Sequence, residues 1–321
     1  MIVTITPNPS IDATVSLPSV LNVGAVNRAS NMSHVAGGKG INVARAIYLA
    51  GKDSLAMFPC SGTDPLLSFI GETGIAFRNI EISGYVRTNT ALTEPDGRTT
   101  KLNGPGPRLD SSIQTELLSA IASASSCAQW VVMGGSLPAG LDSDFYTQAI
   151  GEIRRANPQV RIAVDTSDAP LHSLQSHLKV AAPDLIKPNS VELGQFVSRD
   201  GEQIEIAAIG GDYSLAIAAV CEAIDRGVPE VLATLGPAGA VLANKSGVWV
   251  ATSPAVTVVS TVGAGDSALS GYLLAREDGA GFAESLRLAV SYGAAAAALP
   301  GTTIPSPSQL IHTGADVWRV R

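Results

Sequence analysis

DSSIQTELLSAIASASSCAQWVVMGG, residues 110–135, and LDSDFYTQAIGEIRRANPQVRIAVD, residues 141–165, set the same rhythm twice. In each, a run with helical spacing of apolar residues is followed by a short apolar run. The pattern predicts helices over 110–126 and 142–156, and strands over Trp130–Met133 and Arg161–Asp165. The rhythm continues with a helix over 212–226, a strand over Val231–Leu235 and two further helices near 265–277 and 281–298. Upstream, the apolar strand Ile2–Thr6 ends in the turn Pro7-Asn8-Pro9, and a glycine-rich break over 36–40 opens a helix over 41–50. Apolar strands alternating with amphipathic helices make βαβ units. The expected fold class is therefore α/β, with a mostly parallel central sheet covered by helices on both faces.

Two stretches do not keep this rhythm, about 12–35 and 78–107. Both alternate weakly, without a convincing helix, and the second is broken by turns at Glu94-Pro95-Asp96-Gly97 and Asn103-Gly104-Pro105. They predict a small β-sheet lid rising from the main sheet. There is no internal repeat and no long linker, so residues 1–321 are expected to form a single domain.

Of the 321 residues, 45% are hydrophobic and 15% charged, which supplies a core and excludes a disordered chain. A net charge of −7 argues against nucleic acid or an anionic membrane as a partner. An anionic substrate then requires a few cations gathered at one place. Cys60, Cys127 and Cys221 are far apart and form no CxxC pair, as expected of reduced thiols in a cytoplasmic protein. The opening MIVTITPNPS lacks the basic start and apolar core of a signal peptide. The longest apolar run, Ala289–Leu299, is too short for a membrane helix and predicts a buried Ala-rich one. His34, His172, His177 and His312 lack metal-ligand spacing, and no Ser/His/Asp or Cys/His signature supports a hydrolase.

The strongest chemical signal is Thr261-Val262-Gly263-Ala264-Gly265-Asp266-Ser267, which leads into a helix. Glycines let the backbone approach a ligand, and the free N–H groups of a helix start attract an anion. Asp266 at that start is placed to deprotonate a hydroxyl beside a phosphate held by the amides. It is also what an ordinary helix cap after a glycine turn looks like. A second signal is Ala36-Gly37-Gly38-Lys39-Gly40-Ile41-Asn42, where glycines precede a helix, Lys39 adds a cation and Asn42 a two-sided amide. This segment lacks Walker A spacing, and alone it fits a flexible loop equally well.

Together these segments resemble the PfkB-type carbohydrate kinases of ribokinase-like fold, over nearly the whole chain. The opening TPNPSID (6–12), AGGKGINVARA (36–46) and KPNSVEL (187–193) are most similar to the branch that acts on phosphorylated ketohexoses: 1-phosphofructokinase, tagatose-6-phosphate kinase and the minor 6-phosphofructokinase type. Ser260 stands where many sugar kinases of the wider family have aspartate, a position at which this branch varies. The resemblance implies a sugar-binding carboxylate at Asp12 and a sugar-contacting loop at Gly37, Gly38 and Asn42. It further implies a lid arginine at Arg87 reaching a substrate phosphate, with Ser136 on the substrate and Arg28 and Lys39 as further phosphate partners. Lys101 is weaker and more in keeping with a solvated charge.

On the nucleotide side the resemblance implies ATP contacts at Lys187, Asn189, Thr234, Gly236 and Gly239. It also implies an indirect Mg²⁺ role, through water, for Glu192. Asn189-Ser190-Val191-Glu192 equally fits a helix capping box. Asp165, ending its strand, fits either the rim of the site or a cap.

The implied reaction is phosphoryl transfer from MgATP to a ketohexose monophosphate. Asp266 serves as base, and the amides of Gly263, Ala264 and Gly265 stabilise the moving charge. Fructose 1-phosphate is the expected substrate, with tagatose 6-phosphate and fructose 6-phosphate as alternatives. A non-catalytic sugar-phosphate sensor would not need Asp266. A dinucleotide oxidoreductase would need a GxGxxG turn where Pro7-Asn8-Pro9 stands. The resemblance also implies a homodimer formed through the lid.

Overall fold

The computed structural model describes residues 1–311 and 313–321; His312, given no role above, lies outside the described residues. Fourteen strands form two sheets among the described residues. The larger sheet holds β1 (Ile2–Ile5), β4 (Ser54–Pro59), β5 (Ala76–Ile80), β8 (Trp130–Gly134), β9 (Arg161–Asp165), β10 (Leu185–Ile186), β11 (Glu230–Thr234), β12 (Ala240–Asn244), β13 (Gly247–Ala251) and β14 (Val317–Arg319). Its order is β14-β13-β12-β11-β10-β9-β8-β1-β4-β5. Every pairing from β5 to β11 is parallel, and the last three strands return antiparallel.

Alternation along the strands gives each face its own core. Val3, Ile5, Val131, Met133, Ile162 and Val164 pack on one face with Leu117, Ile121, Ile150 and Ile153, from helices Ser111–Ser125 and Phe145–Ala156. The intervening Ile2, Trp130, Val132 and Ala163 pack on the other with Val43, Leu269, Leu273 and Leu286. Those residues come from helices Lys39–Leu49, Ala264–Glu277 and Phe282–Ala297. Truncating one fully buried isoleucine, such as Ile150, to alanine costs about 2–5 kcal/mol.

Chain order places the site. From β1 the larger sheet runs one way through β4 and β5 and the other way through β8 and beyond, so the winding reverses at β1. Open α/β sheets bind ligands at such a switch point, outside the carboxyl ends of the strands. The second sheet, β3-β2-β6-β7, starts just there: β2 (Ser10–Ser16) follows β1 after only Thr6-Pro7-Asn8-Pro9. β2 pairs antiparallel with β3 (Asn31–Gly37) and parallel with β6 (Arg87–Thr93), which pairs with β7 (Thr99–Asn103).

Three boundaries differ from expectation. Residues 78–80, expected in the small sheet, belong to β5 at the edge of the large one. Residues 17–30 contain no strand. The helix expected from 142 begins at Phe145, because the Asp142 carbonyl accepts the Phe145 N–H in a separate turn, at 3.0 Å. The three cysteines are unbridged, and no described helix is long and apolar enough to cross a membrane.

Candidate active site

The site is assembled at the carboxyl ends of β1, β8, β9 and β10. Thr6, just past β1, accepts the Ile41 N–H on its hydroxyl at 3.0 Å and anchors the glycine loop. Gly38 leads into helix Lys39–Leu49 at φ 132, and a Cβ there would stand 2.5 Å from the Thr6 methyl, so only glycine fits. The loop lies equally close to Asp12. A Cβ on Gly37 would fall 2.3 Å from the Asp12 carboxyl carbon. Asp12 itself is held by Ser10 (2.7 Å), Asn89 (3.2 Å) and Thr302 (3.3 Å), which donate to its two oxygens.

Asn42, in the first turn of that helix, donates to Asp266 Oδ2 at 2.8 Å across 224 residues of sequence. Asp266 is 7% exposed, in the first turn of helix Ala264–Glu277, whose N-cap Gly263 has φ 78. The N–H groups of Gly263, Gly265 and Asp266 find no acceptor among the described residues, whereas that of Ala264 leans on the Thr261 carbonyl at 3.4 Å. Beneath this turn lies Lys187, 3% exposed; a Cβ on Gly265 would sit 3.2 Å from its Nζ. Amides and ammonium thus converge on one anion-sized place beside a carboxylate.

Asp165 ties the two halves. It is 1% exposed, accepts Lys39 Nζ on Oδ1 at 2.6 Å, and has Lys187 Nζ 3.2 Å from Oδ2. Burial alone would raise its pKa, but Lys187 and Lys39 outweigh burial and hold it below the usual carboxylate range. Burial would likewise depress the pKa of Lys39, yet Asp165, Asp266 and Glu192 together lift it above the usual lysine value. Asp266 goes the other way. Burial raises its pKa, and Asp165 adds to the rise against the pull of Lys39, Asn42 and Lys187. A buried aspartate with raised pKa and one fixed hydrogen bond is a stronger base than an exposed one.

The residues expected to contact substrate meet where the small sheet joins the large one. Arg87 lies opposite Ser10 in register, is half-buried, and donates from Nη2 to the Asn8 carbonyl at 3.1 Å. Burial lowers its pKa, partly offset by Asp12. Ser136 follows β8 on a loop pinned by the Gly135 carbonyl, which accepts the hydroxyls of Tyr146 (2.8 Å) and Thr166 (3.0 Å). The side chain of Asn8 reaches Ser136 Oγ at 3.2 Å. Arg28 is not brought in. It is exposed beyond the far Ser16–Asn31 end of the β2–β3 hairpin, and no bond joins it to the cluster. Lys101 is exposed on β7.

On the nucleotide side, Asn189 and Glu192 form the expected capping box. The Asn189 side chain accepts the Glu192 N–H at 2.8 Å, and Glu192 Oε2 accepts the Asn189 N–H at 2.9 Å. Burial and Asp165 raise the pKa of Glu192. The Thr234 N–H bonds to the Pro188 carbonyl at 3.0 Å, which joins this segment to the turn 235–239. Gly236 (φ 54) and Gly239 (φ 108) bend that turn where a side chain would be strained. Asp165, which in sequence fits either a rim or a cap, stands at the centre of the cluster. Asn8, Asn89 and Thr302 had not been singled out, and only the TPNPSID segment carried any hint of Asn8.

The pfkB family carbohydrate kinase model matches residues 6–309. The 1-phosphofructokinase of Haloferax volcanii is 33% identical over 326 aligned residues, covering 100% of this chain and 99% of its own. The ATP-dependent 6-phosphofructokinase isozyme 2 of Mycobacterium tuberculosis is 32% identical, with 94% of this chain and 85% of its own covered. The crystal structure of phosphofructokinase-2 from Escherichia coli in complex with potassium superposes with a TM-score of 0.83 at 27% identity, over 96% of each chain. The chain belongs to the pfkB family of carbohydrate kinases: it is a sugar kinase of ribokinase-like fold that transfers a phosphoryl group to an alcohol.

Proposed function

We propose that this pfkB-family kinase transfers the γ-phosphoryl group of ATP to the free terminal hydroxyl of a ketohexose monophosphate, converting fructose 1-phosphate to fructose 1,6-bisphosphate. The observation that carries the reading is Asp266. It is buried, fixed by Asn42 and flanked by unpaired helix-start amides, while Ser136 follows β8 of the large sheet and Arg87, on the small sheet, is joined to it through Asn8. In this reading Asp266 Oδ takes the proton of the attacking hydroxyl. The amides of Gly263 and Gly265, with Lys187 and Lys39, balance charge on the transferring group. Asp12, Gly37, Gly38 and Asn42 hold the sugar, and Arg87 and Ser136 hold the phosphate it already carries. Lys187, Asn189, Thr234, Gly236 and Gly239 hold ATP.

The substrate bet on fructose 1-phosphate is supported by the 1-phosphofructokinases among the relatives, at 31–33% identity. Tagatose 6-phosphate and fructose 6-phosphate present the same pair of end groups. The residues also fit Mg²⁺: Glu192 spends one carboxylate oxygen on its cap and keeps the other, and a magnesium ion needs only one or two carboxylates besides phosphate and water. Bound there through water, the ion would neutralise ATP phosphate charge. The small sheet acts as a lid over the sugar. Exposed Met32 and Leu102 on that sheet, with exposed Val20, Val23 and Val26 in the loop joining β2 to β3, support a homodimer through the lid, and a cytoplasmic setting fits the free thiols.

Coupled detection of ADP release, with each of the three ketohexose phosphates and with bare fructose, tests this reading. Fructose 1-phosphate should give the highest kcat/KM. ADP release that no sugar phosphate stimulates would favour a sensor and overturn it.

A further inference from the structure

We infer that Asn8 is a positioning residue for substrate choice: it spaces Arg87 and Ser136 and turns the Ser136 hydroxyl so that both donate to the phosphate the sugar already carries. The inference rests on the reading of the site given under Proposed function. Asn8 is 5% exposed at the switch point of the sheet, between β1 and β2. Its main-chain carbonyl accepts Arg87 Nη2 at 3.1 Å, and its side-chain Nδ2 donates to Ser136 Oγ at 3.2 Å. One residue therefore sets the distance between an arginine on the small sheet and a serine on the large one.

The direction of the second bond matters. A hydroxyl has one hydrogen to give. Because Nδ2 already supplies a hydrogen to Oγ, the Ser136 O–H hydrogen is left for an outside acceptor. Two further atoms lie there: Arg87 Nε is a donor that a phosphate oxygen can accept from, and Asn8 Oδ1 is an acceptor that only a hydroxyl or water can satisfy. Asn8 Oδ1 and Arg87 Nε are both buried without a partner among the described residues. Buried polar groups are seldom left unpaired, and a bound ligand or water is what would satisfy these two. Gly106 closes over them, since a Cβ there would stand 2.5 Å from Asn8 Oδ1 and 3.7 Å from Arg87 Cδ. No alternative donor or acceptor from that loop takes their place.

Steady-state kinetics of the full-length enzyme with fructose 1-phosphate, fructose and ATP varied in turn test the proposal. Asn8→Ala should raise KM for the sugar phosphate about five- to tenfold, the worth of one hydrogen bond. Its kcat, its KM for ATP and its weak turnover of bare fructose should stay within about twofold of wild type. Adding Asn8→Ala to Ser136→Ala should cost little more, while adding it to Arg87→Ala should multiply the two effects. Asn8→Asp keeps the shape but offers Ser136 an acceptor, which draws the hydroxyl hydrogen away from the phosphate. It should raise KM more than alanine does. Unchanged KM in Asn8→Asp, or kcat and the KM for ATP moving together with it, overturns the proposal even if Asn8→Ala does not fold. A wild-type enzyme that no ketohexose phosphate stimulates removes both this inference and the reading beneath it; a stimulated wild type with an indifferent Asn8 removes this one alone.

Discussion

At the transfer end of the site, Asp266 is held by Asn42, and Asp165 is clasped between Lys39 and Lys187. At the proposed phosphate end, Asn8, Asn89 and Arg87 each bury a polar atom that meets no partner among the described residues; at the transfer end Ser267 Oγ is left so, and Asp165 Oδ2 has no hydrogen bond but faces the Lys187 ammonium at 3.2 Å. The first end is built on the large sheet and its helices, the second largely on the small sheet. The contrast separates two tasks. Charges that must face a moving phosphoryl group are fixed in advance, which is where electrostatic catalysis gains most. In the proposed reading, the groups that recognise the substrate are left with capacity to spare for it to complete.

If this division holds, damage at the transfer end lowers kcat and damage at the phosphate end raises KM. Asp266→Asn is the hardest test and should give the largest effect. Turnover should fall about 10²–10⁴-fold, as for loss of a general base, with sugar-phosphate binding by calorimetry retained. Near-normal turnover would end the assignment of Asp266.

Lys39→Met comes next. Loss of this half-buried charge partner of Asp165 and Asp266 should cost about 10–100-fold in kcat. It also carries a pH signature. Lys39 favours the ionised form of Asp266, so removing it raises a pKa that burial has already lifted. The acidic limb of the kcat/KM profile should therefore move to higher pH. A limb that stays in place, or moves down, would separate Lys39 from the base.

Arg87→Ala should raise KM for the sugar phosphate about tenfold or more and leave kcat nearly alone, since a charge-assisted hydrogen bond is worth about 1.5–3 kcal/mol. An unchanged KM would argue that the substrate need not carry a phosphate. Gly37→Ala should be milder, a KM rise of about threefold to tenfold, because the new methyl group must push aside the Asp12 side chain. A fall in kcat instead would blur the boundary between the two ends.

The fold was legible wherever its information is local. Apolar and amphipathic runs announced β8, β9 and the helices between them, and glycines announced both loops. Asp266 was legible for the same reason, as the aspartate of a Gly-Ala-Gly turn. Residues whose meaning comes from distant partners were not. Asp165 meets Lys39 across 126 positions, and Asn8 meets Ser136 across 128. Neither spacing leaves a trace in a single sequence. The resemblance implies a substrate phosphate as the partner of Lys39, and in the structure its ammonium is bound to Asp165. Residues 78–80 have the same strand-like texture as the lid, and only pairing with β4 assigns them to the large sheet. Helix Asp168–Ser176 escaped notice because it starts with Asp168 at φ 56 and has Pro170 in its first turn, both signs of a loop.

The central place of β1 also has a bearing on how the protein is made. β1 emerges before the strands it pairs with, β4 and β8 at residues 54–57 and 130–133, and all of its side chains end up buried. The bond from Thr302 to Asp12 spans 290 positions. A nascent chain therefore carries an apolar strand without its neighbours through much of its synthesis. Long-range parallel pairing of this kind folds slowly and is exposed to aggregation meanwhile. The cluster around Asp12, which waits for Thr302, is among the last parts to exist.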